Sequence, residues 1–229
     1  MTPHGTALLD TRRGRGTWQV LDPVSTQLWA RIISGTPAPD AIEDLSEHWS
    51  RRGIDPQRVR EDLSTVASDL ARARLLEPAD RTPAPTEPLP VRFTTARPVP
   101  LRTQIAAQAG LALALTLLRC APLRFTIAAA RAATRLPGRP ATLDEAETLH
   151  TAVRRAARGW IGRAACLEES LGTLLTGALC GRRTRWVLGA SFLPQGAHAW
   201  TEADGHIIGQ APEDRVWPYV PVLTVERSN

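Results

Sequence analysis

Seven prolines fall between Glu77 and Pro100 of this 229-residue chain, and they constrain its fold more than any other feature. Proline lacks the backbone N–H that a helix interior needs, and at this density it favours an extended, semi-stiff segment. The stretches on either side carry apolar residues at regular spacing. The sequence therefore predicts a first domain at residues 1–78, a proline-rich linker at 79–100 and a second domain at 101–229.

The first domain is predicted to be a small sheet followed by three helices. Residues 17–21 alternate as a strand does. Asp22 and Asp55 each precede a proline, and this pair predicts a helix start because Asp caps free amides and Pro tolerates the first helical position. The third helix is predicted to bury Val59 and Leu63. This order of elements is typical of a winged-helix-like domain.

The second domain is predicted to be helical first and then to form strands. A helix is predicted from Cys166 to about residue 179, with one apolar side. Residues 185–190 alternate as a strand. The Asp-Gly pair at Asp204 joins strands at 197–203 and 206–208 in a hairpin. A helix packed on an antiparallel sheet gives the fold class α+β.

Cys166 and His198 have the positions that a thiol nucleophile and its base require. A helix N-terminus stabilises the reactive thiolate, and a histidine within hydrogen-bond reach moves the proton. Taken singly, each residue is also compatible with a structural role in the core or the sheet. Cys120 and Cys180 fall at helix C-terminal ends, where the helix dipole disfavours a thiolate. His150 lies on a helix and is predicted to be a surface or packing residue.

A cysteine–histidine pair needs a third group that holds the imidazole in one tautomer. Asp204 is the nearest acid, but it is predicted to serve the hairpin turn. Gln210 follows His198 by twelve residues, on the neighbouring strand, where its side-chain carbonyl can accept the Nδ1–H. Glu213 and Asp214 are more distant candidates. We predict that Gln210 orients His198, with Asp204 as the alternative.

All 28 basic residues are arginine, and the net charge is +5. Twelve arginines between Arg92 and Arg163 are accompanied by only three acids. Such an excess suits an acidic peptide or protein partner. Nucleic acid is not expected as a partner, because no aromatic residues are interleaved for base stacking and the third helix carries acids as well as arginines.

Three cysteines without a CxxC pair, and the lack of a signal peptide, predict a reducing, cytoplasmic location. Cys and His are too sparse to predict a zinc site. The apolar run at residues 105–118 is shorter than the roughly 20 residues that cross a bilayer. We therefore expect a buried helix there and no transmembrane segment.

Two sets of residues resemble a known pair of domains. The first set comprises Cys166, Leu167, Ser170, Leu171, Gly189, Phe192, Ala197 to Trp200, Glu202, Asp204 and Gly205. It resembles the transglutaminase-like cysteine leader peptidase of lasso-peptide biosynthesis, whose nucleophile helix packs on a sheet that carries the histidine. The second set comprises Leu9, Asp10, Gly14, Trp18, Leu21, Asp22, Leu28, Trp29 and Gly35. It resembles the PqqD-like recognition element that accompanies such peptidases.

The resemblance implies that the first domain binds the leader of a ribosomal precursor peptide as an added strand. The residues that would form the binding groove are Thr17, Trp18, Gln19, Val20, Leu21, Val59 and Leu63. The second domain would then cut off the leader with Cys166 and His198. A partner cyclase similar to asparagine synthetase would close the ring. The chain itself would bind no cofactor, and ATP dependence through the cyclase is left open. The third catalytic residue of the family is usually an acid, whereas Gln210 stands at its position here.

Two other interpretations stay open. The same thioester intermediate can be captured by an amine, which makes the reaction an acyl transfer. A non-catalytic leader-binding adaptor would need neither Cys166 nor His198.

Overall fold

The computed structural model describes residues 5–12, 14–76, 89–93, 98–162, 164–192, 195–210 and 219–227. The side chains of Phe192, Gln195 and Gln210 are not among the described parts. The fold mixes helices and sheets. It divides into two compact units, and the short segment Thr11–Thr17 is grouped with the second unit rather than with the first.

The first unit has a two-stranded sheet followed by three helices. The strands are β1 (Thr6–Asp10) and β2 (Thr17–Leu21), and the helices are α1 (Pro23–Ile33), α2 (Ala38–Ser50) and α3 (Pro56–Arg72). Asp22 and Asp55 accept hydrogen bonds from backbone amides at the starts of α1 and α3, which confirms the predicted helix starts. The order of elements is as predicted, and the PqqD-like assignment of this unit stays a prediction.

The residues predicted to bind a leader differ widely in exposure. On β2, Thr17 and Val20 are exposed, Trp18 and Gln19 are half-buried, and Leu21 is buried. Val59 and Leu63 are buried in the helical core with Leu28, Ala41, Leu45 and Ala67. Their burial is as predicted, and their side chains fill the core of the three helices. Their part in a leader-binding groove stays a prediction.

The second unit is built around one helix. Its helices are α4 (Leu101–Cys120), α5 (Leu123–Arg135), α6 (Leu143–Arg158) and α7 (Cys166–Leu179), and the first three all contact α7. Gly110 of α4 lies directly against α7. A Cβ at this position would come within 2.9 Å of the Thr176 nitrogen and 3.1 Å of the Gly172 oxygen, so only glycine fits there. Helix α6 begins with a capping box, formed by Thr142 and Glu145.

The strands of the second unit are β3 (Val91–Phe93), β4 (Arg139–Pro140), β5 (Arg182–Arg183), β6 (Arg185–Phe192), β7 (Gln195–Ala203), β8 (His206–Gln210) and β9 (Val220–Val225). Five of them form one sheet in the order β3-β8-β7-β6-β9, and β4 pairs with β5. Asp204 and Gly205 have φ values of 49° and 69°, and they form the predicted turn between β7 and β8.

The sheet corrects two expectations from the sequence. It is mixed rather than wholly antiparallel, because β3 pairs in parallel with β8 while the other pairs are antiparallel. Strand β3 also lies inside the predicted linker, so part of the proline-rich segment belongs to the sheet. Arg92 on β3 forms a 2.9 Å ion pair with the buried Glu147 of α6. The predicted domain boundaries themselves stay a prediction.

Helix α4 is long and apolar enough to cross a membrane by length and composition, and it is the one such helix within the described ranges. A core helix of a soluble protein passes the same test. One side of α4 is buried, including Ala107, Leu111 and Leu115, whereas Leu101 and Ile105 are exposed. The helix is therefore half-buried rather than buried as expected.

Candidate active site

The start of α7 places a cysteine at the first helical position. Ala165 before it has an extended backbone, and the Glu168 carboxylate accepts the Ala165 N–H at 3.0 Å. Glu168 and Glu169 in the first turn also suit the positive end of the helix dipole. The helix consequently begins at Cys166, whose thiol is partly exposed.

His198 is brought to this thiol by the sheet. It lies on β7 opposite Gly189 of β6, it lines the same small cavity as Cys166, and its interaction with the Cys166 thiol lowers the pKa of that thiol. Strand β7 is held on α7 because the Thr201 hydroxyl donates to the Ser170 carbonyl oxygen at 3.3 Å. The structure thus brings together the two residues that the sequence proposes as nucleophile and base.

The surroundings of Cys166 favour its thiolate. Burial works to raise the pKa of the Cys166 thiol, but hydrogen bonds with His198 and with the N–H groups of Ala199 and Leu167 outweigh it, so the pKa is lowered. At Cys180, by contrast, burial dominates: nearby arginines do not offset it, so the pKa of the Cys180 thiol is raised. Cys166 therefore carries the larger thiolate fraction at neutral pH.

Two aromatic rings flank the His198 imidazole. The Trp200 ring is stacked on it with centroids 6.1 Å apart, and the Tyr219 ring is tilted against it at 5.2 Å. Trp200 is itself fixed, because its Nε1–H donates to the buried Glu202 carboxylate at 2.8 Å. Its ring also crosses β6 at Gly189, where a Cβ would lie only 2.5 Å from Cη2. The packing thus limits the positions open to the imidazole.

The structure separates the two candidates for the third residue. Asp204 is exposed in the turn after β7, six residues from His198, which is about 20 Å along an extended strand. It is therefore too far away to orient the imidazole. Gln210 ends β8, the neighbour of β7, and is paired with Phe93 of β3. Its side chain lies outside the described parts, as do Glu213 and Asp214, so its role stays a prediction.

His150 belongs to the same site, which the sequence did not indicate. It is 5% exposed and lines a small cavity together with Cys166 and His198. Its Nδ1 lies 3.2 Å from the Thr173 hydroxyl oxygen, and that hydroxyl donates to the Glu169 carbonyl oxygen at 2.8 Å. Because the hydroxyl proton is used in that bond, the Thr173 oxygen is placed to accept from Nδ1–H of His150.

Gly209 explains how a histidine of α6 reaches the site. A Cβ on Gly209 would overlap the His150 ring, so the absence of a side chain lets the ring lie against β8. A glycine inside a strand pattern often marks such a close approach. This was the one signal in the sequence that could have pointed to His150. Within the described parts of the chain, no three His, Cys, Asp or Glu residues cluster as metal ligands would.

Comparison with protein families gives one match. The family described as the transglutaminase-like superfamily matches residues 107–224, which is more than half of the chain. The matched segment runs from within α4 to β9 and contains Cys166, His198 and His150. No curated protein and no solved structure matches the chain significantly.

Proposed function

Because the chain belongs to the transglutaminase-like superfamily, we propose that it is a cysteine leader peptidase of lasso-peptide biosynthesis. Membership of the superfamily points to activity of the cysteine-protease or acyltransferase type, and the leader-peptidase role is the narrower proposal. The observation that carries it is that Cys166 at the start of α7 and His198 of β7 line one small cavity, where His198 lowers the pKa of the thiol. The resemblance of the residues around this pair to lasso leader peptidases supplies the substrate class.

The proposed reaction passes through a thioester. His198 takes the proton of the Cys166 thiol, and the thiolate attacks the scissile carbonyl carbon. The tetrahedral intermediate collapses as His198 gives this proton to the departing amine. His198 then takes a proton from water, and the resulting hydroxide attacks the thioester. The leader leaves as a carboxylic acid, and Cys166 recovers its thiol. The amides of Ala199 and Leu167 stabilise the thiolate before it attacks the peptide.

The first unit would supply the docking surface for the leader. Both strands of a two-stranded sheet have an outer edge to which a peptide strand can pair. Val20 on β2 is 44% exposed and offers an apolar contact beside the outer edge of β2. Docking on the same chain raises the local concentration of the scissile bond, so weak contacts at Cys166 suffice. In this role the protein works in the cytoplasm beside a lasso cyclase, and its thiol chemistry needs no cofactor.

The test is a cleavage assay with a leader–core peptide, with and without the cyclase, followed by mass spectrometry. Wild type and the matched control Cys180→Ala are expected to release the leader as an acid, whereas Cys166→Ala leaves the peptide intact. Equal cleavage by Cys166→Ala would overturn the proposal. An amide adduct of the leader would indicate acyl transfer instead. Leader binding without cleavage by wild type would indicate an adaptor.

A further inference from the structure

A second cavity, of about 340 Å³, lies where the end of α6 meets the start of α7. Its charged and aromatic lining consists of Arg154, Arg158, Trp160 and Glu169, and we refer to it as the basic pocket. None of these residues has a role in the thiol chemistry described above. The pocket therefore has no assigned function.

The basic pocket adjoins the candidate active site. Glu169 lines both the pocket and the small cavity that contains Cys166 and His198. Ala164, two residues before Cys166, forms part of its wall. Glu169 follows Cys166 by three residues, so about 5 Å of helix separates them. A substrate whose carbonyl lies at Cys166 can thus place a neighbouring group in the pocket.

The charges of the pocket favour an anion. Arg154 and Arg158 are four residues apart, so they project from one side of α6. Arg154 is 3.7 Å from the Glu169 carboxylate, and no carboxylate in the described part of the chain pairs with Arg158. The Arg119 guanidinium approaches the same wall, 3.5 Å from where a Cβ on Gly162 would lie. Among the residues that the structure describes, three guanidinium groups thus accompany one carboxylate.

The aromatic residue makes the pocket more than a charged helix end. Arginines in a last helical turn also complement the helix dipole, and that interaction alone would leave them in solvent. Here Trp160, which is 40% exposed, forms part of the same cavity. Its ring can cover the methylene stem of a bound side chain while a guanidinium binds the charged end in a bidentate manner.

We propose that the basic pocket binds a carboxylate of the peptide that reacts at Cys166. The carboxylate belongs either to an Asp or Glu side chain near the scissile bond or to a peptide C-terminus. This inference rests on the proposed thiol activity of Cys166. It also gives a role to part of the arginine excess between Arg92 and Arg163.

The test uses alkylating peptides, which need no knowledge of the natural substrate. Iodoacetyl-Gly-Glu-amide and iodoacetyl-Gly-Gln-amide differ only in charge, and iodoacetyl-Gly-Gly with a free or an amidated C-terminus probes the other source of a carboxylate. The rate at Cys166 is followed by peptide mass spectrometry. At least one charged probe is expected to react about three- to fivefold faster than its neutral partner, the size typical of partly exposed ion pairs.

The preference should fall to about one at high salt and in the variant Arg154→Gln/Arg158→Gln, and Arg158→Gln alone should weaken it. Arg131→Gln on α5 removes one positive charge, as Arg158→Gln does, but at an exposed site outside the pocket, and it should leave the preference unchanged. A ratio of one for both probe pairs in wild type would overturn the inference. So would a preference that survives in Arg158→Gln and in the double variant.

A different result is expected if the proposed thiol activity of Cys166 is wrong. In that case Cys166 would react no faster than Cys180 with any probe, although the ratio between charged and neutral probes would still report on the pocket. The two proposals can therefore fail independently.

Discussion

Gly189 allows the site to be disturbed without changing Cys166 or His198. A Cβ at this position would lie 2.5 and 2.6 Å from Cη2 and Cζ3 of Trp200, and 2.9 Å from the Val220 carbonyl oxygen. Trp200 is only 2% exposed, so its ring has no open space to enter. We expect Gly189→Ala to displace this ring, and with it the stacked His198.

The expected cost follows from the type of contact. Overpacking of a filled core lowers the free energy of unfolding by about 1–3 kcal/mol. Gly189 does not have a positive φ, so backbone strain adds nothing to this loss. Gly205→Ala is a matched control, because Gly205 has a φ of 69° and a Cβ there would meet no atom of the described residues within 4 Å. Its cost of about 1–2 kcal/mol comes from the backbone alone. Only Gly189→Ala should slow alkylation of Cys166.

A double-mutant cycle separates the steric contact from other causes. Trp200→Phe removes the ring atoms that Gly189→Ala would strike. We therefore expect Gly189→Ala to cost at least about 0.5 kcal/mol less in the Trp200→Phe background than in wild type, measured by denaturant unfolding. An equal cost in both backgrounds would refute the reasoning.

Three further perturbations test other parts of the structure. Arg92→Ala should lower the free energy of unfolding by about 1–3 kcal/mol, because it removes the ion pair of Glu147, which is 3% exposed. Arg72→Ala, which removes the exposed pair of Arg72 with Asp69, should lower it by less than about 0.5 kcal/mol. Equal unfolding midpoints for the two variants would contradict this. Asp22→Ala should cost about 1 kcal/mol at neutral pH by uncapping α1. Burial acts to raise the pKa of the Asp22 carboxyl, but the hydrogen bonds that it accepts at the start of α1 lower the pKa by more. The pKa of Asp22 is therefore below its ordinary value of 3.8. The stabilisation by Asp22 is therefore complete above its unfolded pKa and is lost as the pH falls through the folded value. A wild-type advantage that persisted below that value would count against the cap.

The local signals in the sequence were sufficient for most elements of the fold. Asp22 and Asp55 cap helices where their Asp-Pro pairs predict starts, and the turn at Asp204 has the positive φ that an Asp-Gly hairpin needs. Cys166 opens α7 as predicted. Each of these features depends on a few neighbouring residues, so it can be predicted from the sequence alone.

The features that the sequence did not predict depend on distant partners. Strand β3 owes its place to β8, more than a hundred residues further along the chain. His150 joins the site because Gly209 of another element leaves room for its ring. Val59 and Leu63 show what helical periodicity cannot predict. Helical periodicity placed them inward correctly, but it does not tell whether the inward side meets a core or a ligand groove.

The pairing of Cys166 with His198 is tested most directly by iodoacetamide alkylation as a function of pH, resolved by peptide mass spectrometry. The pairing predicts that Cys166 reacts faster than Cys180 at neutral pH and that its rate rises at a lower pH. It also predicts that His198→Ala shifts the Cys166 profile to higher pH. Identical profiles for the two cysteines, or a Cys166 profile unchanged by His198→Ala, would contradict it.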